Sequence, residues 1–208
     1  MNDEPPKPKP RRLSDIVSSF EGRSDFTIGA MVDDFGERAF GALMFVFAIP
    51  NVIPAPPGTS AVLGLPLVIL TFQLMLGRQA LWLPKRIRER PVKPDMVSSF
   101  VRRAVPILRR FEKILRPRLP LLVMSNAAER AIGIVTLLLA VILFLPIPFV
   151  NILPAAAIAC LALALAERDG LFAILGYLLS ISTLLILSYV STALYAAAAA
   201  FFRALFGV

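Results

Sequence analysis

Apolar and charged residues alternate by region along this chain. Apolar residues fill about 38–77 and 131–208, whereas 1–37 and 78–130 carry most of the charge. An uninterrupted apolar run covers 39–49, and runs with few polar residues cover 61–77, 131–145, 155–166 and 171–206. Because a helix in hydrocarbon is apolar over most of its length, this segregation predicts an all-α integral membrane protein. The apolar share of 57% favours the same class, since soluble domains contain about 45–50% apolar residues.

Most of these runs are short for a bilayer. The first holds about 12 residues before Pro50, which is about 18 Å of helix, while the hydrocarbon core is about 30 Å thick. It therefore either turns back inside the bilayer or spans it by including the polar turns before it. The run at 171–206 is longer and carries Arg203 as its only charge. We expect one spanning helix there, with an interfacial extension after the alanines at 197–200, rather than two helices.

Two tetrapeptides that end in proline interrupt the runs, Asn51-Val-Ile-Pro54 and Asn151-Ile-Leu-Pro154. Paired helix breaks in hydrocarbon are typical of buried transport sites, because protein or a water-filled cavity must satisfy the freed backbone groups. We predict a polar cavity there. Its lining residues are Asn51, Pro54, Thr59, Ser60, Asn151 and Pro154, and its mouth residues are Glu37, Arg38, Glu129 and Arg130. The alternative is that the former shape and cap helix turns and the latter form interfacial salt bridges.

Amphipathic helices are predicted outside the apolar runs. One covers 13–20, a second starts at a Ser24 cap and runs into 39–49, and a basic one covers 95–116 with a kink or division at Pro106. The basic helix is expected to lie with its apolar face on the inner leaflet and its arginines near anionic headgroups. Four regions follow: a disordered arm (1–12), amphipathic helices with a first membrane repeat (13–84), a basic linker and helix (85–127), and a second repeat with a C-terminal transmembrane helix (128–208).

The composition excludes several kinds of chemistry. Histidine is absent and Cys160 is the only cysteine, so neither an intrachain disulfide nor a zinc site can form, and we expect no metal and no cofactor. No nucleophile and base occur together, which argues against an enzyme. The net charge of +8 comes mainly from 78–118, where thirteen Lys and Arg oppose three acidic residues. In a membrane chain such a segment is typical of a cytoplasmic loop, not of nucleic-acid binding.

The two apolar regions contain matching motifs in the same order. Glu37-Arg-Ala-Phe-Gly41 matches Glu129-Arg-Ala-Ile-Gly133, the two asparagine tetrapeptides match, and Gly77-Arg78 is answered by Glu167-Arg168. These matches predict an internal duplication. Because no spanning segment separates Arg78 from Glu129, both halves begin and end on the cytoplasmic side, where the N-terminus also lies. The predicted fold is therefore a duplicated pair of proline-broken, re-entrant hairpins of like orientation, together with basic amphipathic cytoplasmic helices.

These motifs, with Pro54-Ala-Pro-Pro-Gly58, Leu115-Arg-Pro-Arg-Leu-Pro120 and Leu145-Pro-Ile-Pro148, resemble the ExoD family of exopolysaccharide synthesis over nearly the whole chain. The resemblance implies a multi-pass protein of the bacterial inner membrane that is linked to exopolysaccharide production, and it carries over no catalytic residues. Two functions fit: a transporter-like protein, or a non-transporting accessory or scaffold protein of the polysaccharide assembly machinery. Small residues at Gly170, Ala173 and Gly176, and the alanine-rich stretch 193–200, also predict a homodimer.

Overall fold

A computed structural model describes residues 13–21, 27–52, 59–78, 80–92, 94–114, 123, 125–144 and 151–206. These residues form helices and no strand, which confirms the predicted all-α class for the described part of the chain. The predicted disordered arm at 1–12 lies outside it. The helices are α1 (Leu13–Ser18), α2 (Ile28–Phe35) with a 3-10 turn (Gly36–Arg38), α3 (Ala39–Val52), α4 (Thr59–Met75), α5 (Lys85–Arg88), α6 (Pro94–Ile114), α7 (Asn126–Phe144), α8 (Ile152–Glu167) and α9 (Gly170–Phe206).

Four helices, α3, α4, α7 and α8, form the centre of the molecule. The most extensive contacts join α4 to α7 and α3 to α8, while contacts of α3 with α4 and of α7 with α8 close the group into a ring. α9 packs along α8. α8 is apolar around its whole circumference, which suits a helix with neighbours on several sides. Its alanines let those neighbours approach closely, and Ala155, Ala157, Ala162 and Ala164 are fully buried.

Two glycines show how the ring is assembled. A methyl group at Gly41 of α3 would stand 2.6 Å from the Ala162 carbonyl oxygen of α8. A methyl group at Gly133 of α7 would stand 2.7 Å from the Met75 Cα of α4. Only glycine allows backbones to approach this closely. Each glycine lies near the start of its own helix and touches the final part of its partner, so both packed pairs are antiparallel.

The ring therefore has two different ends. We call one the arginine end; it contains the starts of α3 and α7, with Arg38 and Arg130, and the final turns of α4 and α8. The opposite asparagine end contains the final turns of α3 and α7 and the starts of α4 and α8, with Asn51 and Asn151. The segments 53–58 and 145–150, which join these helices at the asparagine end, lie outside the described residues.

Large apolar side chains cover the outer faces of α4 and α7. They recur every three or four residues, so each set forms a stripe along its helix, and their exposed fractions are 43–55%. They are Leu65, Ile69, Phe72, Leu76, Ile134, Leu138, Val141 and Phe144. By length and composition Asn126–Phe144 and Gly170–Ala193 can cross a membrane, whereas Ala39–Val52, Leu63–Met75 and Ile152–Glu167 are apolar but shorter. Apolar surface and two long apolar helices together indicate a membrane protein.

The basic helix α6 packs its apolar face against α1. Its buried residues are Val97, Val101, Val105 and Leu108. α1 supplies a matching apolar face with Leu13 and Val17, so the face of α6 that was expected on lipid is covered by protein instead. The helix also continues through Pro106 without division. The opposite face is exposed and basic, with Arg102, Arg109, Arg110 and Lys113.

The last helix is continuous from Gly170 to Phe206, as the sequence predicts. Gly170, Ala173 and Gly176, which were predicted as a dimer face, are buried. Gly176 lies against Leu161 of α8, so these small residues serve packing within one chain and are not an exposed surface.

Candidate functional site

Asn51 lies in the last turn of α3, at the asparagine end. The sequence predicts that this helix stops at Pro50, but it continues to Val52. Proline near a helix end removes one backbone hydrogen bond, and its fixed φ suits a helix. Asn51 is 4% exposed, and its Nδ2 donates to the Phe47 carbonyl oxygen at 2.9 Å. Its Oδ1 is buried and accepts no hydrogen bond.

Asn151 directly precedes α8 at the same end. Its carbonyl oxygen accepts from the Ala155 N–H at 3.1 Å, but its side chain does not cap the helix. The Asn151 Oδ1 is also buried and accepts no hydrogen bond. Pro154 is buried in the first turn of α8, where its missing N–H breaks no helical hydrogen bond.

The two asparagines belong to neighbouring helices at about the same level of the ring. Gly41 of α3 lies opposite Ala162 and Ala166 of α8, and the helices are antiparallel. Ten residues beyond Gly41, about 15 Å along the axis, α3 reaches Asn51. The same distance back along α8 reaches Pro154, one turn from Asn151. Two buried oxygens without hydrogen-bond partners therefore occur at one end of one helix pair.

The asparagine tetrapeptides do not occupy equivalent positions in their hairpins. Asn51 lies at the end of α3, the first helix of its hairpin, whereas Asn151 lies just before α8, the second helix of its hairpin. This difference explains why the spacing between each tetrapeptide and its Glu-Arg-Ala-x-Gly motif is unequal in the sequence. The Glu-Arg-Ala-x-Gly motif, in contrast, lies at the same place in both halves, at the start of α3 and near the start of α7. Of the other predicted lining residues, Ser60 is partly exposed in the first turn of α4, whereas Pro54 and the Thr59 side chain lie outside the described part.

The predicted mouth residues lie at the arginine end, about 20 Å along α3 from Asn51. Arg38 donates to Glu167 Oε1 at 3.1 Å, with side chains 20% and 14% exposed. Arg130 lies over Gly77, at the final turn of α4, and Glu129 has interactions of its own. The Glu37 side chain lies outside the described part. These residues therefore do not surround the asparagines, and the Arg38–Glu167 ion pair links α8 to the start of α3.

Further polar residues in or beside the apolar runs were not among the predicted site residues. Gln73 of α4 accepts from the Trp82 N–H at 2.8 Å through Oε1, while its buried Nε2 has no partner. Thr183 of α9 is buried, and so is Asp169, which accepts from the Leu171 N–H at 2.9 Å and starts α9. A polar residue inside an apolar run was the available signal for Gln73 and Thr183. Across the described ranges no group of three or more Cys, Asp or Glu is arranged to hold a metal ion.

Comparison with known proteins identifies the family. The family model described as exopolysaccharide synthesis, ExoD, matches residues 10–189, which is well over half of the chain. The chain belongs to the ExoD family. Protein ExoD of Rhizobium meliloti is 29% identical over 189 residues, covering 89% of this chain and 78% of that relative. The family links this chain to exopolysaccharide synthesis.

A second match is the "Uncharacterized protein slr1875" of Synechocystis sp., which is 34% identical over 146 residues. The match covers 70% of this chain and 69% of that relative. No solved structure matches the chain. Family membership and the two long apolar helices agree on a membrane protein.

Proposed function

We propose that this ExoD-family chain binds a small polar solute at the asparagine end and passes it through the membrane during exopolysaccharide production. The observation that carries the proposal is the buried Asn51 Oδ1, which accepts no hydrogen bond. A buried polar atom left unsatisfied costs about 1–3 kcal/mol. Asn151 Oδ1 adds a second such atom at the same level of the ring. Polar groups at helix breaks inside a membrane are typical of transport sites.

Helix lengths support a site within the hydrocarbon. α3 has 14 residues and α8 has 16, about 21 and 24 Å, and both are shorter than the hydrocarbon core of about 30 Å. In our proposal the arginine end lies at the cytoplasmic interface, because exposed Trp82 and the basic α5 follow α4 there. The asparagine end then lies inside the outer half of the hydrocarbon, and the hairpins are re-entrant.

The last helix supports the same orientation. From Gly170 at the arginine end to the exposed Tyr189 is 19 residues, about 28 Å of helix. A tyrosine at that height would stand at the far interface, where aromatic residues are enriched. The N-terminus and the exposed basic face of α6 would then lie in the cytoplasm next to the inner leaflet of the bacterial inner membrane, near its anionic headgroups.

We also propose that the two hairpins are copies of one ancestral hairpin. Exchanging α3 with α7 and α4 with α8 maps the two most extensive helix contacts onto each other, and it maps Gly41 onto Gly133. A residue with positive φ follows both α4 and α8: Gly77, two residues after α4, has a φ of 72°, and Arg168, directly after α8, has a φ of 57°. This pattern supports parallel repeats related by an axis along the membrane normal.

Water access to the asparagines tests the proposal. In a chain carrying Cys160→Ala, single Asn51→Cys and Asn151→Cys variants are treated in membranes with a small hydrophilic thiol reagent. Such reagents attack the thiolate, which forms where water reaches the thiol. We expect labelling at one or both positions and none at Leu138→Cys, on the exposed apolar stripe of α7. Labelling restricted to the unfolded protein would rule out a water-accessible site.

A scaffold role is the second candidate, and the observation that favours it is the exposed basic face of α6, with Arg102, Arg109 and Arg110. This role needs no water at the asparagine end. The scaffold role would be favoured by two results together: no thiol labelling at Asn51→Cys or Asn151→Cys, and loss of exopolysaccharide when the three arginines are changed to glutamine. Labelled asparagines and unchanged exopolysaccharide in the same arginine variant would favour transport.

A further inference from the structure

Thr183 of α9 brings a third polar side chain to the asparagine end. Gly176 lies against α8, where a methyl group would stand 3.1 Å from the Leu161 nitrogen. α9 follows α8 through a tight turn and runs antiparallel to it. Seven residues beyond Gly176 and seven residues before Leu161 bring Thr183 to the level of Pro154. Thr183 is 3% exposed there, although the following residues of α9 are largely exposed.

The buried polar atoms left without a hydrogen-bond partner at this end are the acceptor oxygens of the two asparagines. Asn51 Nδ2 donates to the Phe47 carbonyl oxygen, and Thr183 Oγ1 donates to the Leu179 carbonyl oxygen at 2.8 Å. Free acceptor capacity therefore remains on Asn51 Oδ1, Asn151 Oδ1 and Thr183 Oγ1. The Val46 carbonyl oxygen is a further acceptor, because Pro50, one turn later, has no N–H to donate to it.

Buried acceptor oxygens without a partner select among ligand classes. An anion would be repelled by them. A sugar hydroxyl has one hydrogen to donate, so it would satisfy only one of these oxygens, whereas a cation can bind several at once. Ca²⁺ and Mg²⁺ are bound mainly through carboxylates, and no described residue at the asparagine end is acidic. Transporters coordinate monovalent cations at broken helices with neutral oxygens, namely unwound backbone carbonyls and helix C-terminal ends. The amide and hydroxyl oxygens at the asparagine end are neutral oxygens of the same kind.

We infer that the asparagine end binds a monovalent alkali cation through Asn51 Oδ1, Asn151 Oδ1 and Thr183 Oγ1. The inference rests on the proposed polar site and names the ligand of that site. A bound cation would satisfy both orphan amide oxygens at once. With the cation bound, neither oxygen would need a hydrogen bond from an N–H or O–H group of the protein.

Thermal unfolding of the purified full chain tests the inference. The midpoint is measured in lithium, sodium, potassium and N-methylglucamine chloride at equal ionic strength. We expect at least one alkali cation to raise the midpoint with increasing concentration, because a ligand of the folded state stabilises it. N-methylglucamine, an organic cation much larger than any alkali ion, should have no effect.

Matched variants locate the site. Thr183→Val keeps the shape of the side chain and removes Oγ1, and we expect it to weaken the apparent cation affinity about tenfold, the effect of one lost hydrogen bond or ligand. Thr136→Val is the control, because Thr136 is equally buried and donates to the Ile132 carbonyl oxygen at 2.7 Å, but lies towards the arginine end. Asn51→Leu should abolish the cation effect. If that variant does not fold, equilibrium binding of radioactive sodium to the two threonine variants decides.

Each outcome decides a separate claim. Absence of any alkali effect overturns the cation inference, and thiol labelling at Asn51→Cys would leave the polar site standing. Absence of both overturns both proposals. A cation effect weakened equally by Thr183→Val and Thr136→Val, or by neither, overturns the assignment of Thr183 to the site.

Discussion

Replacing Gly133 by alanine tests whether the contact between α4 and α7 depends on close backbone approach. The added methyl group would stand 2.7 Å from the Met75 Cα and 2.8 Å from the Leu74 carbonyl carbon, and nearest of all to the Met75 nitrogen. All three atoms belong to the backbone of α4, so no side chain can rotate away. Ordinary contacts of such a methyl group begin at 3.4 Å. The two helices would therefore have to separate by about 1 Å, which loses a large part of their van der Waals attraction.

The expected loss of stability is about 2 kcal/mol. Overpacking costs about 1–3 kcal/mol, and a backbone obstacle argues for the upper part of that range. The higher helix propensity of alanine offsets about 1 kcal/mol of this loss. Gly64→Ala is the matched control on the same helix pair, because its methyl group would stand 3.1 Å from the Phe144 Cα and needs a shift of only a few tenths of an ångström. Its net effect should be close to zero.

The thermal unfolding midpoint of the purified chain in one detergent measures the difference. A loss of about 2 kcal/mol should lower the midpoint by about 4–8 °C for a chain of this size. Gly41→Ala should behave like Gly133→Ala, because its methyl group would meet the Ala162 carbonyl oxygen at 2.6 Å. Equal midpoints for Gly133→Ala and Gly64→Ala would refute the reasoning from these contacts.

Two further predictions concern ion pairs and helix caps. Arg38→Gln should lower the free energy of unfolding by about 1–2 kcal/mol, because its partner Glu167 is largely buried. Arg88→Gln should lower it by less than about 1 kcal/mol, because the ion pair with Asp33 is exposed. Equal losses in the two variants would contradict this ranking. Thr27→Ala should cost about 1 kcal/mol by removing the cap that accepts from the Ala30 N–H, and hydrogen exchange should quicken in α2 but not in α3.

Helix positions are largely accessible from the sequence, because hydropathy and proline act locally. The apolar runs at 39–49 and 61–77 correspond to α3 and α4, and the long final run corresponds to the single helix α9. The predictions are wrong at helix ends, where a shift of the boundary by a few residues changes which residue caps the helix or lies in its last turn. Asn51 was expected in a break and lies in a helical turn, and Thr27 caps the helix that Ser24 was expected to cap.

Contacts between helices are what the sequence does not supply. Gly41 packs on Ala162, more than a hundred residues away, and no local pattern names that partner. The same limit explains α6 and α9. An amphipathic face predicts that something apolar covers it, but α1, not lipid, covers Val97 and Val101 of α6. Likewise, Gly176 predicts close helix approach, and the helix that approaches is α8 of the same chain.

Within the described residues, both ends of the ring contain buried polar atoms without a hydrogen-bond partner, but the asparagine end has two of them on neighbouring helices. At the arginine end Arg38 and Glu167 form an ion pair and Asp169 accepts the Leu171 N–H, while Gln73 Nε2 is the buried atom without a partner. At the asparagine end two buried oxygens together cost about 2–6 kcal/mol, a large part of the 5–15 kcal/mol that usually separates folded from unfolded protein. Turn shape does not explain that cost, because the Asn151 side chain does not cap α8 and the free Oδ1 of Asn51 bonds to no backbone group. An apolar side chain of similar size would fill either position without an orphan oxygen, and this supports the binding role that we propose for the two asparagines.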